Sequence, residues 1–316
     1  MVNTADLWKK LLENAGLFGL DPAEFQKLET FFAGLDPEYF LNCAGRTLDD
    51  FPLEEVKKRF SPEELGVFLQ LCIVYSYQDA ENIYRKKHWS SEMFREAASD
   101  LKLWQKVGIQ DHGGLFLEER LFGWAKQCLN GRVKQFGRLQ CNDIHLFLPE
   151  LSLYRKDDRT LEVLPAFERN NPASPDLTYG DKTINLHVPA SGGLKPEQCI
   201  DSIRRMCRFS AEFHPDYDFK AIVCYSWILD AQFRDILPAG ANILKFQDLG
   251  YNFTWQGHEQ NSEVIWRIWG RPGLDMDVKD LPAASSMERG VKEFLLNGGI
   301  FNEGVLVIFK DQIDNL

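Results

Sequence analysis

In the first part of the chain apolar residues recur every three or four positions, the spacing that lines one face of a helix. Leu65, Phe68, Leu69, Cys72 and Tyr75 follow Ser61-Pro62-Glu63-Glu64, a capping box with proline at the first helical position. Asp21-Pro22-Ala23-Glu24 gives the same start signal ahead of Phe25, Leu28 and Phe32. Ser90 or Ser91 opens a third helix carrying Phe94, Leu101 and Trp104. A fourth follows Gly113-Gly114, with Leu117, Leu121, Trp124 and Leu129, and closes at Asn130-Gly131 as a left-handed cap. Nothing here alternates for long, so residues 1–131 read as an all-helical domain.

After Gly131 the period shortens towards two. Arg138–Leu148 reads as a strand, Leu153–Leu164 as a hairpin turning at Asp157-Asp158, and residues 169–181 as a polar, proline-bearing loop. The pattern then predicts strand Thr183–Val188, helix Pro196–Phe213, strand Phe219–Leu229, short helix Ala231–Leu237, and strands Asn242–Phe253 and Val264–Trp269. Ser285-Ser286-Met287-Glu288 caps a last helix, which Gly298-Gly299 ends before strand Gly304–Phe309. A right-handed crossover makes Thr183–Val188 and Phe219–Leu229 parallel, while short connections make the later strands antiparallel. The fold class is α+β: a helical N-terminal domain, then a mixed sheet flanked by helices over residues 132–316.

Composition narrows the function classes. The chain has 316 residues and a formal net charge of -11, spread along its length, which argues against nucleic acid and anionic membrane as partners. Its densest apolar stretch, Leu65 to Tyr77, is broken by Gln70 and Ser76 and falls short of the roughly 18 apolar residues of a membrane span. Met1–Lys10 lacks the apolar core of a signal peptide, so the expected location is the cytoplasm. The 7 cysteines have no CxxC spacing; they suggest free thiols in a reducing compartment, with neither a zinc site nor a disulfide framework.

The chemistry-bearing stretch is Ile184-Asn185-Leu186-His187-Val188-Pro189-Ala190-Ser191-Gly192-Gly193-Leu194-Lys195-Pro196-Glu197. In a strand, Asn185 and His187 face away from Ile184, Leu186 and Val188. Pro189 cannot donate to a ladder, so pairing fails where the strand ends. Two glycines let backbone approach a ligand, and the start of a helix of about four turns offers an anion its free amides and dipole. Lys195 beside that start is unfavourable unless an anion lies there too. The stretch is neither a P-loop nor a G-x-G-x-x-G fingerprint.

Strand, amide-rich loop, helix and second strand in this order resemble the core of the GNAT superfamily of acyl-CoA-dependent N-acyltransferases. The whole chain is similar to a bacterial two-domain acyltransferase family with a helical N-terminal domain and a GNAT-like C-terminal domain. The resemblance is carried by Gly137-Arg138-Leu139-Gln140, Asn185-Leu186-His187-Val188-Pro189, Cys224-Tyr225-Ser226-Trp227-Ile228-Leu229-Asp230, Asn242-Ile243-Leu244-Lys245-Phe246, Leu281-Pro282 through Ser286, and Gly298-Gly299. One departure is that Ser191-Gly192-Gly193-Leu194-Lys195-Pro196 does not reproduce the superfamily's Q/R-x-x-G-x-G/A loop.

The resemblance implies coenzyme A or an acyl-CoA as co-substrate, and direct attack on it by the amine of a small-molecule acceptor in a ternary complex. Amides near Val188 and Ala190 would hold the thioester oxygen. Those of Gly192 to Lys195 would hold the pyrophosphate, within a loop that also contains Pro189, Ser191 and Leu194. The thioester would lie in a wedge between the two parallel strands. His187, whose ordinary pKa of about 6.5 suits proton transfer near neutrality, is the candidate base. Ser226 or Tyr225 would protonate the leaving thiolate, and Trp227 would pack, against the pantetheine arm or in the core. Cys224 reads as a buried thiol, and Glu150 and Glu168 as solvated loop carboxylates. A metal across His88 and Glu92 is rejected because Ser90-Ser91 breaks the helix between them. The alternative is a non-catalytic relative that binds acyl-CoA or another anionic metabolite. No motif specifies the acceptor, the acyl length or the oligomeric state.

Overall fold

Helix caps organise the first part of the chain as its sequence suggests. In this computed structural model, which describes residues 3–46, 50–148, 150–157, 160–165, 174–190 and 192–316, the chain divides into compact units Met1–Gln135 and Phe136–Leu316. The first unit contains α1 (Thr4–Phe18), α2 (Pro22–Gln26), α3 (Glu29–Ala33), α4 (Pro37–Ala44), α5 (Leu53–Arg59), α6 (Pro62–Tyr75), α7 (Tyr77–Lys86), α8 (Ser91–His112) and α9 (Glu119–Leu129). Ser61 Oγ accepts the Glu64 N–H at 3.3 Å while Glu64 Oε2 accepts that of Ser61 at 2.9 Å, the reciprocal cap of α6. Ser90 caps α8, and Gly113 ends it in the left-handed region at φ 74°. Within this unit, buried Asp100 accepts both the Trp104 and Trp124 indole N–H groups, at 3.0 and 3.1 Å, which offsets the cost of burying a carboxylate.

Strand β1 (Lys134–Phe136) spans the division, and the strands of the second unit are β2 (Leu139–His145), β3 (Leu151–Arg155), β4 (Leu161–Pro165), β5 (Leu177–Thr178), β6 (Lys182–His187), β7 (Ala221–Ser226), β8 (Tyr251–Glu259) and β9 (Asn302–Phe309). The main sheet runs β1-β2-β6-β7-β9-β8 and a small one β4-β3-β5. β6 and β7 are parallel, joined through α10 (Pro196–Phe213), and the β2/β6, β7/β9 and β8/β9 pairs are antiparallel. One sheet face carries Ala221, Val223, Val305, Val307 and Tyr251, covered by Leu146, Leu148, Leu153 and Leu177. On the other side, α10 buries Cys199, Ile203 and Met206, and its Ser202 Oγ accepts the Arg138 N–H at 3.1 Å.

Two expected strands are helices. Asn242–Phe253 divides into α12 (Asn242–Gln247) and the start of β8, after the short α11 (Phe233–Ile236). The break falls at Gly250, where a Cβ would lie 2.4 Å from the Val307 carbonyl oxygen. Val264–Trp269 lies within α13 (Asn261–Trp269), which α14 (Arg271–Leu274) and α15 (Ser286–Leu296) follow, so Trp266 and Trp269 sit three apart on a helix and not on opposite strand faces. β-branched and aromatic residues only look strand-like there: Val264 and Trp269 pack into the core around Phe233 and Phe301, and that tertiary environment overrides propensity. The expected strand Phe219–Leu229 ends at Ser226 and turns into a 3₁₀ segment, Trp227–Leu229. Most of the expected 169–181 loop lies outside the described residues; its final part holds β5.

Candidate active site

Where β6 and β7 stop pairing, the sheet opens. Their register runs from Thr183↔Ala221 to Leu186↔Cys224 and goes no further. Yet β6 stays paired with β2 through Gln140↔His187, and β7 with β9 through Ser226↔Gly304. Each strand thus keeps its outer partner while parting from its inner one, which leaves backbone polar groups at His187 and Tyr225–Ser226 for another partner. Pro189, without an N–H, follows directly.

The registers place Gln140, His187, Tyr225, Glu303 and Trp255 on five adjacent strands, all at this open end and all on one face. This is the face whose middle is the apolar cluster around Val223 and Val305; towards the open end it becomes polar and incompletely satisfied. Gln140 Nε2 and Asn185 Oδ1 are buried and have no hydrogen-bond partner among the described residues, and Tyr225 Oη approaches only the Phe147 backbone without a well-aligned bond. Such atoms are costly in a finished core and ordinary in a binding site that a ligand completes. The Tyr225 ring stacks on Phe147, with centroids 4.2 Å apart. Burial raises its hydroxyl well above the ordinary tyrosine range, and the nearby Glu303 adds to the effect. Glu303 is half-buried, and burial raises its carboxyl too, opposed by His258.

Burial pulls the pKa of His187 down to about 4, so the imidazole is neutral at pH 7 and a weak base. Its Nε2 lies 2.6 Å from Asn142 Oδ1; an amide oxygen only accepts, so Nε2 carries the proton and Nδ1 the lone pair.

Between β6 and α10 the loop is held open by Arg138. Its Nε donates to the Gly193 carbonyl at 2.9 Å and its Nη2 to that of Gly192 at 3.3 Å. With both carbonyls engaged, the amide edge of the loop is left for other partners, and the buried Nη1 has none among the described residues. Gly192 adopts φ 70°, and a Cβ on Gly192 or Gly193 would meet nothing within 4 Å, so the loop borders open space. Lys195 is the exposed N-cap of α10, with no side-chain cap bond, and its carbonyl accepts the Gln198 and Cys199 N–H groups.

The other expected residues fall as follows. Val188 is half-buried, Pro189 and Leu194 are buried, and Ala190 is exposed; Ser191 lies outside the described residues, as does Glu168. Tyr225 and His187 share the polar face, whereas Ser226 shares the opposite one with Cys224. Cys224 is fully buried, and its thiol is pushed far up by that burial, so it offers no nucleophile. Trp227 leans on Phe233, with ring centroids 5.6 Å apart, at the edge of a hydrophobic cluster. Glu150 is exposed just ahead of β3. Arg138, Gln140, Asn142, Trp255 and Glu303 join the site without having been given a role in it from sequence. Glu303 carried a signal in sequence, since it is a lone carboxylate directly ahead of the apolar run Val305–Phe309.

No curated protein sequence matches the chain. Among solved structures it is similar to an acyltransferase in complex with decanoyl-CoA, at 18% identity and TM-score 0.66, covering 96% of this chain and 86% of that one. It is also similar to an acyltransferase in complex with decanoyl-CoA and teicoplanin, at 17% identity and TM-score 0.67, covering 97% and 87%. A third is an acyltransferase in complex with CoA and 10C-teicoplanin, at 17% identity, TM-score 0.66 and the same coverage. These likenesses establish the shared fold. The GNAT-like C-terminal domain family matches residues 133–306, and on that match, over more than half its length, the chain belongs to this family.

Proposed function

We propose that the protein is an acyl-CoA-dependent N-acyltransferase acting on the amine of a small molecule. The observation that carries this reading is the open end of the β6/β7 pair, with its unmet polar atoms beside an amide-rich loop. The residues fit a coenzyme A ester: Arg138 turns the loop carbonyls inward, Gly192 and Gly193 leave room for phosphate, and the α10 dipole favours an anion. The likeness to acyltransferases in complex with decanoyl-CoA supports a medium-length acyl chain. When bound, the co-substrate supplies an activated acyl carbon.

The chain's own residues then have separable tasks. The backbone amides of Val188 and Ala190 hold the thioester oxygen as charge develops on it, and those of Gly192 to Lys195 hold the pyrophosphate. Tyr225 keeps its proton across the neutral range and donates towards the departing sulfur, while Ser226, on the other face, is the weaker candidate. Trp227 lies past the end of β7, where a pantetheine arm would run. His187 acts as a neutral imidazole that orders Asn142 and the β6 end of the row.

The test is calorimetric titration with CoA, acetyl-CoA and decanoyl-CoA, followed by thiol release with an amine panel. Micromolar binding and amine-dependent thiol release are expected; binding without release leaves a non-catalytic acyl-CoA binder, and no binding to any of the three refutes the reading. Gly193→Glu places a side chain in open space, so the fold persists while like charge opposes the phosphates. Binding should weaken at least about 100-fold, which is ~2.7 kcal/mol, with an unchanged melting temperature.

A further inference from the structure

We propose that Glu303 takes the proton of the acceptor's ammonium group, and that with Trp255 and His258 it forms the subsite for a primary amine. This rests on the acyl-transfer reading above and adds the acceptor's chemistry to it. Three observations bring Glu303 forward. Register pairs Tyr225 with Val305 and puts Glu303 two residues further along β9, on the same face and at the same open end, the diagonal neighbour of Tyr225 at about 7–8 Å. Its half-buried carboxylate makes no hydrogen bond or ion pair with any described residue. The opposite position of β8 is Trp255, whose ring lies tilted against His258 with centroids 3.6 Å apart, an aromatic wall of the kind that suits a cation.

A carboxylate taken half out of water without a counter-charge is unfavourable unless a ligand supplies one. The charged and titratable groups near it are His258 and Glu263, together with the buried Tyr225 and Cys224. Glu263 already pairs with Arg267 at 2.7 Å, and exposed His258 is the single cationic candidate among these. An ammonium group fits that balance.

The backbone holds Glu303 on both sides. Its preceding neighbour Asn302 donates its N–H to buried Asp230 at 2.7 Å, and Asp230 also takes the Thr254 hydroxyl and the Gln232 amide. Its following neighbour Gly304 lies against Leu229 so closely that no Cβ would fit. A carboxylate held this way keeps its aim without a side-chain partner.

The proton balance is complete. The ammonium gives one proton to Glu303, and the neutral nitrogen then bonds to the acyl carbon as the carbon–sulfur bond breaks. The second nitrogen proton leaves as the amide forms. Of the two protons, one ends on the sulfur through Tyr225 and the other passes from Glu303 to solvent. His187, neutral and weakly basic, is not needed for either transfer.

The experiment uses the full-length protein and Glu303→Gln with two amines: n-butylamine, an ammonium ion at neutral pH, and 2,2,2-trifluoroethylamine, which is uncharged there. Decanoyl-CoA binding should be unchanged in the variant. Thiol release with n-butylamine should fall at least about 100-fold, and with trifluoroethylamine less than about 5-fold, because only the first amine must lose a proton before attack. Equal losses with both amines, or no loss with either, overturn the proposal. A second measurement follows the carbon-13 resonance of the Glu303 carboxyl: added n-butylamine should shift its titration to lower pH, and an unmoved resonance also overturns it. Wild-type protein that binds no decanoyl-CoA overturns instead the acyl-transfer reading beneath it.

Discussion

The two ends of the main sheet are built from the same strands and finished in opposite ways. At the closed end Thr183 donates to the Ile144 carbonyl at 3.1 Å, and the Tyr217 hydroxyl lies 2.7 and 2.9 Å from the Ile144 and Thr183 carbonyls. Lys220 and Lys310 continue the ladder with backbone bonds to Lys182 and Lys220, and Lys310 pairs with Asp218 at 2.6 Å. At the open end Gln140 Nε2 has nothing to bind among the described residues, and the same is true of Asn185 Oδ1 one step back along β6. Unmet polar atoms at one end of a sheet whose other end is closed are the contrast on which the proposed site rests.

The largest test removes the backing on which the open end depends. Gly304→Ala puts a methyl group 1.9 Å from the Leu229 carbonyl carbon, so backbone must move. A loss of about 4 kcal/mol or more is expected in urea unfolding; a loss below about 1 kcal/mol would mean the two segments part readily.

Acid is the next lever, and it acts on the open end through His187. Its folded pKa of about 4 lies below the ordinary value near 6.5, so the unfolded chain takes up the proton first. This contribution is complete above about pH 6.5 and is lost as pH falls towards 4, by roughly 3 kcal/mol in all. Unfolding curves of the wild type and His187→Gln measured across that interval should diverge; parallel curves would show that His187 is solvated.

The smallest effect is the most discriminating, because one chemical change is made at both ends. Tyr217→Phe removes a hydroxyl bonded to backbone and should cost about 1–2 kcal/mol, with decanoyl-CoA binding unaffected. Tyr225→Phe removes a buried hydroxyl that approaches only the Phe147 backbone and forms no well-aligned hydrogen bond there, so stability should fall by less than about 1 kcal/mol, while thiol release falls at least about tenfold. Equal stability losses for the pair would erase the distinction between the ends.

Much of the frame was legible in the residues. Helix Pro196–Phe213 lies where its proline start and apolar spacing put it, and the parallel β6/β7 pair follows from a crossover rule. The helix over Val264–Trp269 was hidden by strand-like side chains, although Glu263 and Arg267, four apart and paired at 2.7 Å, carried the helical signal. Asn242–Phe253 was misread because one apolar run spans a helix, a turn and a strand start, and only the close approach of Gly250 to Val307 divides it. The candidate site divides in the same way. The loop is read from local sequence, whereas the shift of His187, the fork of Arg138 around residues 54 and 55 positions away, and the reach of Glu303 depend on what the fold brings alongside.

The early end of β6/β7 pairing also creates a sheet edge inside a sheet. Unpaired strand edges recruit other strands, and proteins usually protect them with charge, bulges or proline. Here the edge is only about two residues deep, and Pro189 stops any added strand from running further along β6. A ligand seated in the opening would therefore do more than react: it would cap an interior edge open to strand exchange, and the empty protein should be the form more prone to self-association.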